Sequence, residues 1–260
     1  MEQTTISGKR VLIVIPARMG SSRFPGKPLA KILGKTMIET VASNALESKL
    51  ASMVCVATCD EEIAKAVEGL AVEVIMTSES HTRASDRTFE AVESLKRQGY
   101  TFDLVIMLQG DEPCIEGQLL DMQIDFCLHN HDMGVVNLVS PLGSREEASN
   151  PNTIKVVLGQ KNQSVVYMTR SLVAASSFGD SDILGKQVCS IAFSPSALSN
   201  FASLEESKLE IAESIDMLRF IANSIPVNFV MVTDRTHPVD VPSDVPIVER
   251  ILMKMNEPGL

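Results

Sequence analysis

The chain has no apolar run long enough to cross a membrane. Runs such as residues 11–15 are far shorter than the ~18 residues that a spanning helix needs. The first ten residues, MEQTTISGKR, contain no apolar core of the kind found in signal peptides. With 14 glycines and 12 prolines among 260 residues, the chain is also too poor in both for low-complexity disorder. We therefore expect a globular, cytoplasmic protein with no membrane partner.

Cysteine is scarce and is not arranged as a disulfide or zinc framework. The five cysteines are an odd number, and no two of them form a Cys-x-x-Cys motif. This pattern favours reduced thiols that are buried or half-buried. The cysteines are Cys55, Cys59, Cys114, Cys127 and Cys189.

Positive charge is also in short supply. The chain has 23 lysines and arginines against 33 aspartates and glutamates, which gives a net charge of −10 and a pI near 4.9. Because the overall field repels nucleic acids and anionic membranes, we expect neither as a partner. A nucleotide substrate is still compatible with this charge, since a local basic loop or a divalent metal offsets a distant net charge.

The first half of the chain alternates short apolar runs with amphipathic stretches. Four runs fit strands that are buried on both faces, at residues 11–16, 53–58, 72–76 and 104–108. Thr36 and Glu39 form a capping box at the start of one helical stretch, and Asp60 and Asp86 are expected to begin two more. This order predicts a mostly parallel sheet with helices on both faces.

The second half is less regular and predicts a smaller mixed or antiparallel extension. Its strand-like segments are residues 134–140, 154–158, 165–168, 188–193 and 227–232. Residues 208–223 carry apolar side chains at helical spacing, Ile211 among them, and predict one amphipathic helix. Ser243 is expected to cap a last helix that ends near Met255. Because no repeat or linker divides the chain, we interpret residues 1–260 as a single domain.

One loop concentrates the groups that bind a polyphosphate. Residues 16–28 (PARMGSSRFPGKP) follow a buried strand and combine two glycines, two serines, two arginines and a lysine. Parallel sheets bind ligands at the carboxyl ends of their strands. Backbone N–H groups together with cationic side chains are what a polyphosphate needs at such an edge. The loop matches neither a Walker A motif nor GxGxxG, and a solvated basic turn is the alternative interpretation.

Three further loops carry polar residues that suit such an edge. Residues 108–113 (LQGDEP) place Asp111 directly after an apolar strand. A carboxylate there can hold Mg²⁺ while the metal keeps waters and takes phosphate oxygens. Residues 237–244 (HPVDVPSD) place Asp240 after the last strand, and residues 81–87 (HTRASDR) lead into a helix. Taken alone, each of these loops is also compatible with an ordinary turn or a helix cap.

Together these segments resemble the 3-deoxy-manno-octulosonate (KDO) cytidylyltransferases, which are the CMP-KDO synthetases of lipopolysaccharide assembly. The resemblance runs in order from about residue 10 to residue 255, and the first loop together with LQGDEP is its most specific part. Other matching segments are ATCD at 57–60, SDR at 85–87, NPN at 150–152, KVV at 155–157 and VDVP at 239–242. The resemblance implies a Rossmann-like nucleotidyltransferase fold. It also implies a homodimer, with an extension at about residues 150–195 that serves dimerisation and the acceptor site.

The reaction implied by the resemblance joins CTP to a sugar acid and gives a CMP-sugar and pyrophosphate. The anomeric hydroxyl would attack the α-phosphorus in line, while Mg²⁺ and cationic side chains stabilise the developing charge. The implied catalytic residues are Arg18, Lys27 and Asp111. The implied metal ligands are Asp111 and Asp240, and the implied acceptor-binding residues are Gln109 and Asp216. The implied nucleotide-binding residues are Pro16, Ala17, Arg18, Gly20, Ser21, Arg23, Lys27, Ser85, Asp86 and Arg87.

The chain departs from the family mainly on the acceptor side. Gln187 stands where the family has a histidine, and Ile191 and Phe193 stand where it has tyrosines. Asp216 and Met217 replace a glutamate and a glutamine. Because buried polar contacts dominate the discrimination between acceptors, these changes bear on which acid is used. We expect ordinary CTP binding and poor turnover of unmodified KDO.

Several interpretations of function are therefore kept open. The first is transfer of CMP to KDO, and its variant is transfer to a different acid such as an amino-KDO or a phosphonate. A second is a catalytically silent, nucleotide-binding regulator, and a third is a nucleotidyltransferase for another base. The presence of Arg18, Lys27, Asp111 and Asp240 favours an enzyme over a silent regulator.

Overall fold

The computed structural model describes residues 8–21, 23–161, 163–173, 183–233 and 236–255, so Ser22 of the basic loop lies outside it. The chain forms two compact units, one of Met1–Ile124 with Thr236–Leu260 and one of Asp125–Arg235. The interpretation as one domain, with an extension at about residues 150–195, stays a prediction. In the described ranges, no helix is both long enough and apolar enough to cross a membrane.

The first unit is built on a parallel sheet with the strand order β6-β1-β4-β5. Its strands are β1 (Val11–Pro16), β2 (Lys31–Ile32), β3 (Lys35–Thr36), β4 (Met53–Thr58), β5 (Glu73–Met76) and β6 (Leu104–Leu108). β2 and β3 form a separate antiparallel pair. β1 and β6 are buried at every residue, so both faces of the sheet are covered. Three of the four predicted strands are confirmed residue for residue, and β5 begins one residue later than predicted.

Helices α1 and α3 pack on the strands of this sheet. The helices of the unit are α1 (Met37–Leu46), α2 (Glu61–Ala66), α3 (Ala84–Arg97), α4 (Gly117–His129, whose last residues belong to the second unit) and the C-terminal α9 (Val245–Met255). The capping box of α1 is confirmed, since Thr36 and Glu39 exchange hydrogen bonds of 3.2 and 2.6 Å. α3 begins two residues before Asp86, and Arg83 occupies its N-cap position.

The second unit has a mixed sheet with the strand order β11-β7-β10-β8-β9. Its elements are β7 (Val135–Pro141), α5 (Arg145–Ser149), β8 (Lys155–Leu158), β9 (Val165–Thr169), β10 (Leu184–Phe193), α6 (Pro195–Ser203), α7 (Lys208–Glu213), α8 (Leu218–Ala222) and β11 (Asn228–Met231). β11 runs parallel to β7, and the other pairs are antiparallel. The predicted mixed extension is thus confirmed, with a longer β10 than the apolar run indicated.

The single helix predicted for residues 208–223 is wrong. The chain forms two short helices, α7 and α8, which are separated by Ser214 in the left-handed region with φ 54°. Arg170 explains the break, because its Nε and Nη2 donate to the carbonyl oxygens of Glu213 and Ser214 at 2.8 and 3.4 Å. The side chain thereby takes carbonyls that a continuing helix needs. Ile211, expected on the buried face, is 58% exposed.

The cap predicted at Ser243 for the last helix is wrong, because α9 begins two residues later, at Val245. The carboxylate of Asp244 instead holds the preceding turn, where it accepts hydrogen bonds from the N–H groups of Asp240 and Val241 at 2.8 and 2.9 Å. A short 3₁₀ helix, Pro242–Asp244, then precedes α9. The carboxylate reaches both N–H groups, which is why the turn after Asp240 is fixed.

All five cysteines lie in the described ranges, and none of them is joined in a disulfide bond. Three are buried and two are half-buried, as the odd count and the spacing predict. Burial raises the pKa of the Cys127 thiol to about 12, so this group is an inert apolar side chain at neutral pH.

Candidate active site

The basic loop after β1 is attached to β4 and to the residues that follow it. The N–H of Ala17 donates to the carbonyl oxygen of Ala57 at 3.0 Å. The N–H of Met19 donates to Oδ2 of Asp60 at 2.8 Å. Asp60 was predicted as a helix cap, and it makes no capping bond from its side chain. No sequence motif marks a carboxylate that holds a loop 41 residues away, which is why this role was missed.

The loop turns outward once it leaves the strand. Pro16 and Ala17 are buried, whereas Arg18 and Gly20 are exposed and Ser21 is half-buried. An exposed arginine and glycine beside the end of a buried strand suit contact with a charged ligand, because ligands bind at this edge of a parallel sheet.

Lys27 joins the basic loop to two other parts of the unit. Gly26, with φ 71°, turns the chain into the 3₁₀ helix Lys27–Leu29, and glycine adopts such a φ without strain. Nζ of Lys27 donates to Oδ2 of Asp111 and, at 3.0 Å, to the carbonyl oxygen of Val239. Burial lowers the pKa of Lys27, but the charge and hydrogen bond of Asp111 outweigh burial and raise it overall. Lys27 is therefore a cation at neutral pH.

Asp111 lies in the turn after β6, close to the basic loop. A Cβ at Gly110 would lie 3.3 Å from both Cβ of Ala17 and the carbonyl oxygen of Pro16, so glycine permits this approach. The carbonyl oxygen of Asp111 accepts the N–H of Val239 at 2.9 Å. Oδ1 of Asp111 is buried and has no hydrogen-bond partner in the part of the chain that the structure describes. A buried carboxylate oxygen without a partner fits a site that receives a cation.

Asp240 belongs to the same cluster of charges, although it is far from Asp111 in sequence. Nη2 of Arg23 lies 2.9 Å from Oδ1 of Asp240. Burial raises the pKa of Asp240, the negative charge of Asp111 raises it further, and Arg23 and Lys27 partly offset both effects. Val239, the residue before Asp240, donates its N–H to the carbonyl oxygen of Asp111 at 2.9 Å, so the fold brings the two predicted metal ligands into one cluster.

Two arginines of the first unit, Arg18 and Arg87, donate to the same backbone carbonyl oxygen. Arg18 and Arg87 donate to the carbonyl oxygen of His81 at 3.4 and 3.3 Å. The ring Nε2 of His81 lies 2.5 Å from Oε2 of Glu90, which also accepts the N–H of Ser78 at 2.9 Å. Burial opposes ionisation of Glu90, yet these two partners lower its pKa overall. Backbone carbonyls leave no trace in sequence, so this anchor of Arg18 could not be predicted.

Three of the residues predicted to bind nucleotide lie at the start of α3. Oγ of Ser85 is buried against Sδ of Met107 at 3.7 Å. Arg87 is buried and donates to Oγ1 of Thr77 at 2.5 Å, while Asp86 is half-buried. These contacts fix the segment that contains His81, and a direct role in nucleotide binding stays a prediction for all three.

Comparison with known protein families identifies the family of this chain. A family model described as cytidylyltransferase matches residues 12–224. The chain belongs to the cytidylyltransferase family. A 3-deoxy-manno-octulosonate cytidylyltransferase from Thermodesulfovibrio yellowstonii is 35% identical, over 93% of this chain and 97% of its own. Another from Protochlamydia amoebophila is 31% identical, over 98% of this chain and 99% of its own.

Solved structures agree with this assignment. A CMP:2-keto-3-deoxy-manno-octonic acid synthetase complexed with CTP is 32% identical, with a TM-score of 0.83 over 95% of this chain and 99% of its own. A 4-diphosphocytidyl-2C-methyl-D-erythritol synthase from Anaerococcus prevotii shares the fold at a TM-score of 0.64 and 16% identity, over 95% and 98% of the two chains. The predicted fold and the predicted nucleotidyltransferase class are confirmed.

The charge cluster of this cytidylyltransferase fits a magnesium ion bound together with phosphate. Across the described ranges, no group of three or more histidine, cysteine, aspartate or glutamate side chains is arranged to hold a metal. Asp111 and Asp240 instead offer two carboxylates. Mg²⁺ is usually held by one or two carboxylates while waters and substrate phosphates complete its shell. The unpartnered Oδ1 of Asp111 is the observation that supports this fit.

The positions at which this chain differs from the family pattern lie in the second unit. Nε2 of Gln187 donates to Oδ1 of Asn137 at 2.7 Å, so its amide already has a partner within this unit. Ile191 and Phe193 are buried in the core, at 1% and 0% exposure. Asp216 is half-buried in the turn between α7 and α8.

The remaining predicted acceptor residue, Gln109, belongs to the first unit. It is half-buried directly after β6, and its carbonyl oxygen accepts the N–H of Glu112 at 3.2 Å. Because Gln109 and Asp216 belong to different units, their joint action on an acceptor stays a prediction.

Proposed function

We propose that this cytidylyltransferase transfers CMP from CTP to a KDO-like sugar acid and releases pyrophosphate. The observation that carries the proposal is the cluster of Arg23, Lys27, Asp111 and Asp240, together with the exposed Arg18 on the same loop as Arg23 and Lys27. It combines cations for a triphosphate with carboxylates for a metal at one edge of a parallel sheet. The names of the curated relatives and the CTP complex of the similar synthetase support CTP as donor and KDO as acceptor.

The proposed reaction needs no nucleophile from the protein. An oxygen of the anomeric hydroxyl forms a bond to the α-phosphorus, and the bond from that phosphorus to the oxygen bridging to the β-phosphorus breaks. The hydroxyl loses its proton, and pyrophosphate leaves with the electron pair. Lys27 and Arg18 would bind phosphate oxygens and stabilise the negative charge that develops on them.

The proposed metal cofactor is Mg²⁺, held by Asp111 and Asp240. When bound, it would supply Lewis-acid stabilisation of the phosphate oxygens. The role of this chain is to hold the two carboxylates in one cluster with a cation against each of them. Lys27 lies against Asp111, and Arg23 lies against Asp240. A homodimer belongs to the same proposal and rests on the sequence resemblance alone. A cytoplasmic location belongs to it as well and rests on the sequence pattern.

A pyrophosphate-release assay tests the proposed function. The purified chain is given Mg²⁺ with CTP, ATP, GTP or UTP, each with KDO, an amino-substituted KDO, a small phosphonate or no acceptor. We expect release that requires CTP, an acceptor and Mg²⁺ together. If pyrophosphate is released with another nucleotide and not with CTP, that nucleotide is the donor in place of CTP. If no combination releases pyrophosphate, the result favours a catalytically silent regulator.

A further inference from the structure

The two carboxylates proposed to hold the metal each have a cation of the protein beside them. Nζ of Lys27 bonds Oδ2 of Asp111, and both side chains are mostly buried, at 14% and 20% exposure. Arg23 pairs with Asp240 at 2.9 Å, with side chains 46% and 16% exposed. The same two cations are among those proposed to bind the triphosphate. Each therefore has two alternative partners, a carboxylate and a phosphate.

A metal ion that approaches this cluster without nucleotide has to compete with these cations. A positive side chain in contact with a carboxylate repels an approaching metal ion and weakens that carboxylate as a metal ligand, and the effect is larger where the pair is mostly buried. A triphosphate changes this balance, because it offers Lys27 and Arg23 new anionic partners. The carboxylates then become available to a metal at the moment when the metal is needed.

The geometry of Asp111 suits such an exchange. Lys27 takes Oδ2, while Oδ1 is buried and has no partner among the residues that the structure describes. The second bond of Lys27, to the carbonyl oxygen of Val239 at 3.0 Å, keeps its ammonium group at the cluster while one partner is replaced. The carboxylate can thus begin to bind a metal through Oδ1 before the contact at Oδ2 is lost.

We propose that Lys27 and Arg23 are resident counter-ions of Asp111 and Asp240, and that they exchange these carboxylates for phosphate oxygens when CTP binds. The carboxylates then accept a metal ion readily with the nucleotide and poorly without it. This inference rests on the proposed function, since it takes the same residues as metal and phosphate ligands.

The test measures Mn²⁺ binding to the nucleotide-free protein by electron paramagnetic resonance, in which free aqueous Mn²⁺ gives the signal. The variants are Lys27→Met, which removes the charge but keeps an unbranched chain, and the matched control Lys31→Met. Lys31 is also in the first unit, but its side chain is 65% exposed and lies 4.0 Å from Glu39, away from the cluster. We expect Lys27→Met to lower the Kd for Mn²⁺ about tenfold, because a competing charge is removed. Lys31→Met should leave the Kd unchanged.

A second variant guards against a folding defect in the first. Arg23→Gln removes the half-exposed partner of Asp240. Because solvent screens this pair more strongly, we expect the Kd for Mn²⁺ to fall by only about two- to threefold. Thermal unfolding of each variant shows that the compared proteins are folded. A Kd equal to wild type in both folded variants would overturn the exchange.

Failure of the underlying function gives a different result. With CTP present and no acceptor, wild-type protein should retain Mn²⁺ beyond what CTP alone binds, and Asp111→Asn should not. If Asp111→Asn retains Mn²⁺ as wild type does, the proposed metal site is wrong and the exchange falls with it. If Asp111→Asn loses Mn²⁺ but Lys27→Met binds it no better than wild type without CTP, the exchange alone is wrong.

Discussion

Charged side chains are used in opposite ways in the two units. In the first unit, the side chains of Lys27, Asp111 and Asp240 are mostly buried but keep 14%, 20% and 16% exposure, and they contact one another or a neighbouring cation. In the second unit, Glu210 and Arg219 are 0% and 3% exposed and are joined by two hydrogen bonds of 2.8 and 2.9 Å. Partly exposed pairs can change partner at small cost, whereas a buried pair cannot lose one member without leaving a buried charge.

The same contrast holds for the lysines. Lys155 of the second unit is fully buried, and its Nζ donates to the carbonyl oxygens of Asn150, Thr153 and Arg170 at 2.9, 2.7 and 2.5 Å. Lys27 of the first unit bonds one carboxylate and one carbonyl, and 14% of its side chain stays exposed. The difference teaches that partner type and exposure, rather than charge itself, separate ligand-binding residues from structural ones in this chain.

The largest expected effect follows from removing one carboxylate of the first unit. Asp111→Asn and Asp240→Asn should each abolish turnover, because a lost metal ligand removes several kcal/mol of transition-state stabilisation, or at least about a thousandfold in rate. The rate of pyrophosphate release at limiting Mg²⁺ measures this. The melting temperature should stay near that of wild type, since asparagine keeps the size of the side chain and an oxygen that accepts a hydrogen bond from Lys27 or Arg23. Near wild-type rates in either variant would remove that residue from the metal site.

The buried pair of the second unit should show the reverse pattern, with a loss of stability in place of a specific loss of turnover. Arg219→Met leaves Glu210 buried without its partner and should lower the free energy of unfolding by ~3–5 kcal/mol. The guanidinium also lies 4.0 Å from the ring centroid of Phe201, which adds to the loss. Urea unfolding measures the change. The double variant Glu210→Leu with Arg219→Met should recover most of it, and no recovery would show that packing, not charge, sets the cost.

A smaller effect on the KM for CTP is expected from one of two similar hydrogen bonds that flank β1. Asp60 accepts the N–H of Met19 at 2.8 Å after β1, and Asp103 accepts the N–H of Arg10 at 2.8 Å before it. Asp60→Ala should raise the KM for CTP about tenfold, as a charge-assisted hydrogen bond that orders the basic loop is worth ~1.5–3 kcal/mol. Steady-state kinetics in CTP measure this value.

The matched variant makes the comparison specific. Asp103→Ala should lower stability by ~1 kcal/mol or more and leave the KM for CTP unchanged. Asp60→Asn keeps an acceptor oxygen toward Met19 and should restore most of the CTP affinity. Equal KM values for the two alanine variants would show that Asp60 is a structural contact only.

The smallest effect is expected at Arg18, the exposed arginine of the basic loop. Arg18→Ala should raise the KM for CTP by about three- to tenfold and lower turnover modestly, because an exposed charge contributes ~1 kcal/mol. The same kinetic titration detects it, and a raised ionic strength should shrink the difference from wild type. Unchanged kinetics at low salt would count against Arg18 as a phosphate ligand.

The fold of the first unit could be predicted closely, because its information is local. Strands such as Leu104–Leu108 are short apolar runs, and parallel pairing places the loops after them at one edge. That rule alone predicts that Asp111 and the basic loop lie close together. The capping box of Thr36 and Glu39 is likewise written within four residues of sequence.

What could not be predicted depends on contacts between distant residues. The break between α7 and α8 requires Arg170, which lies 43 residues before Glu213. Apolar spacing alone therefore favoured one continuous helix. The hydrogen bond from the N–H of Met19 to Asp60 is non-local in the same way. The sequence pattern around Asp60 predicted only a helix cap. Both errors come from side chains that bind backbone groups far along the chain.

The most direct test of the central claim is a phosphorus-31 NMR spectrum of one reaction that contains the purified chain, CTP, Mg²⁺ and whichever sugar acid, KDO or its amino-substituted form, gives the faster pyrophosphate release. Transfer of CMP predicts that the three CTP resonances decline while one phosphodiester resonance and pyrophosphate grow in equal amounts. With Asp111→Asn, the CTP resonances should persist. Formation of CDP and inorganic phosphate, or of CMP and pyrophosphate at the same rate without an acceptor, would contradict the account.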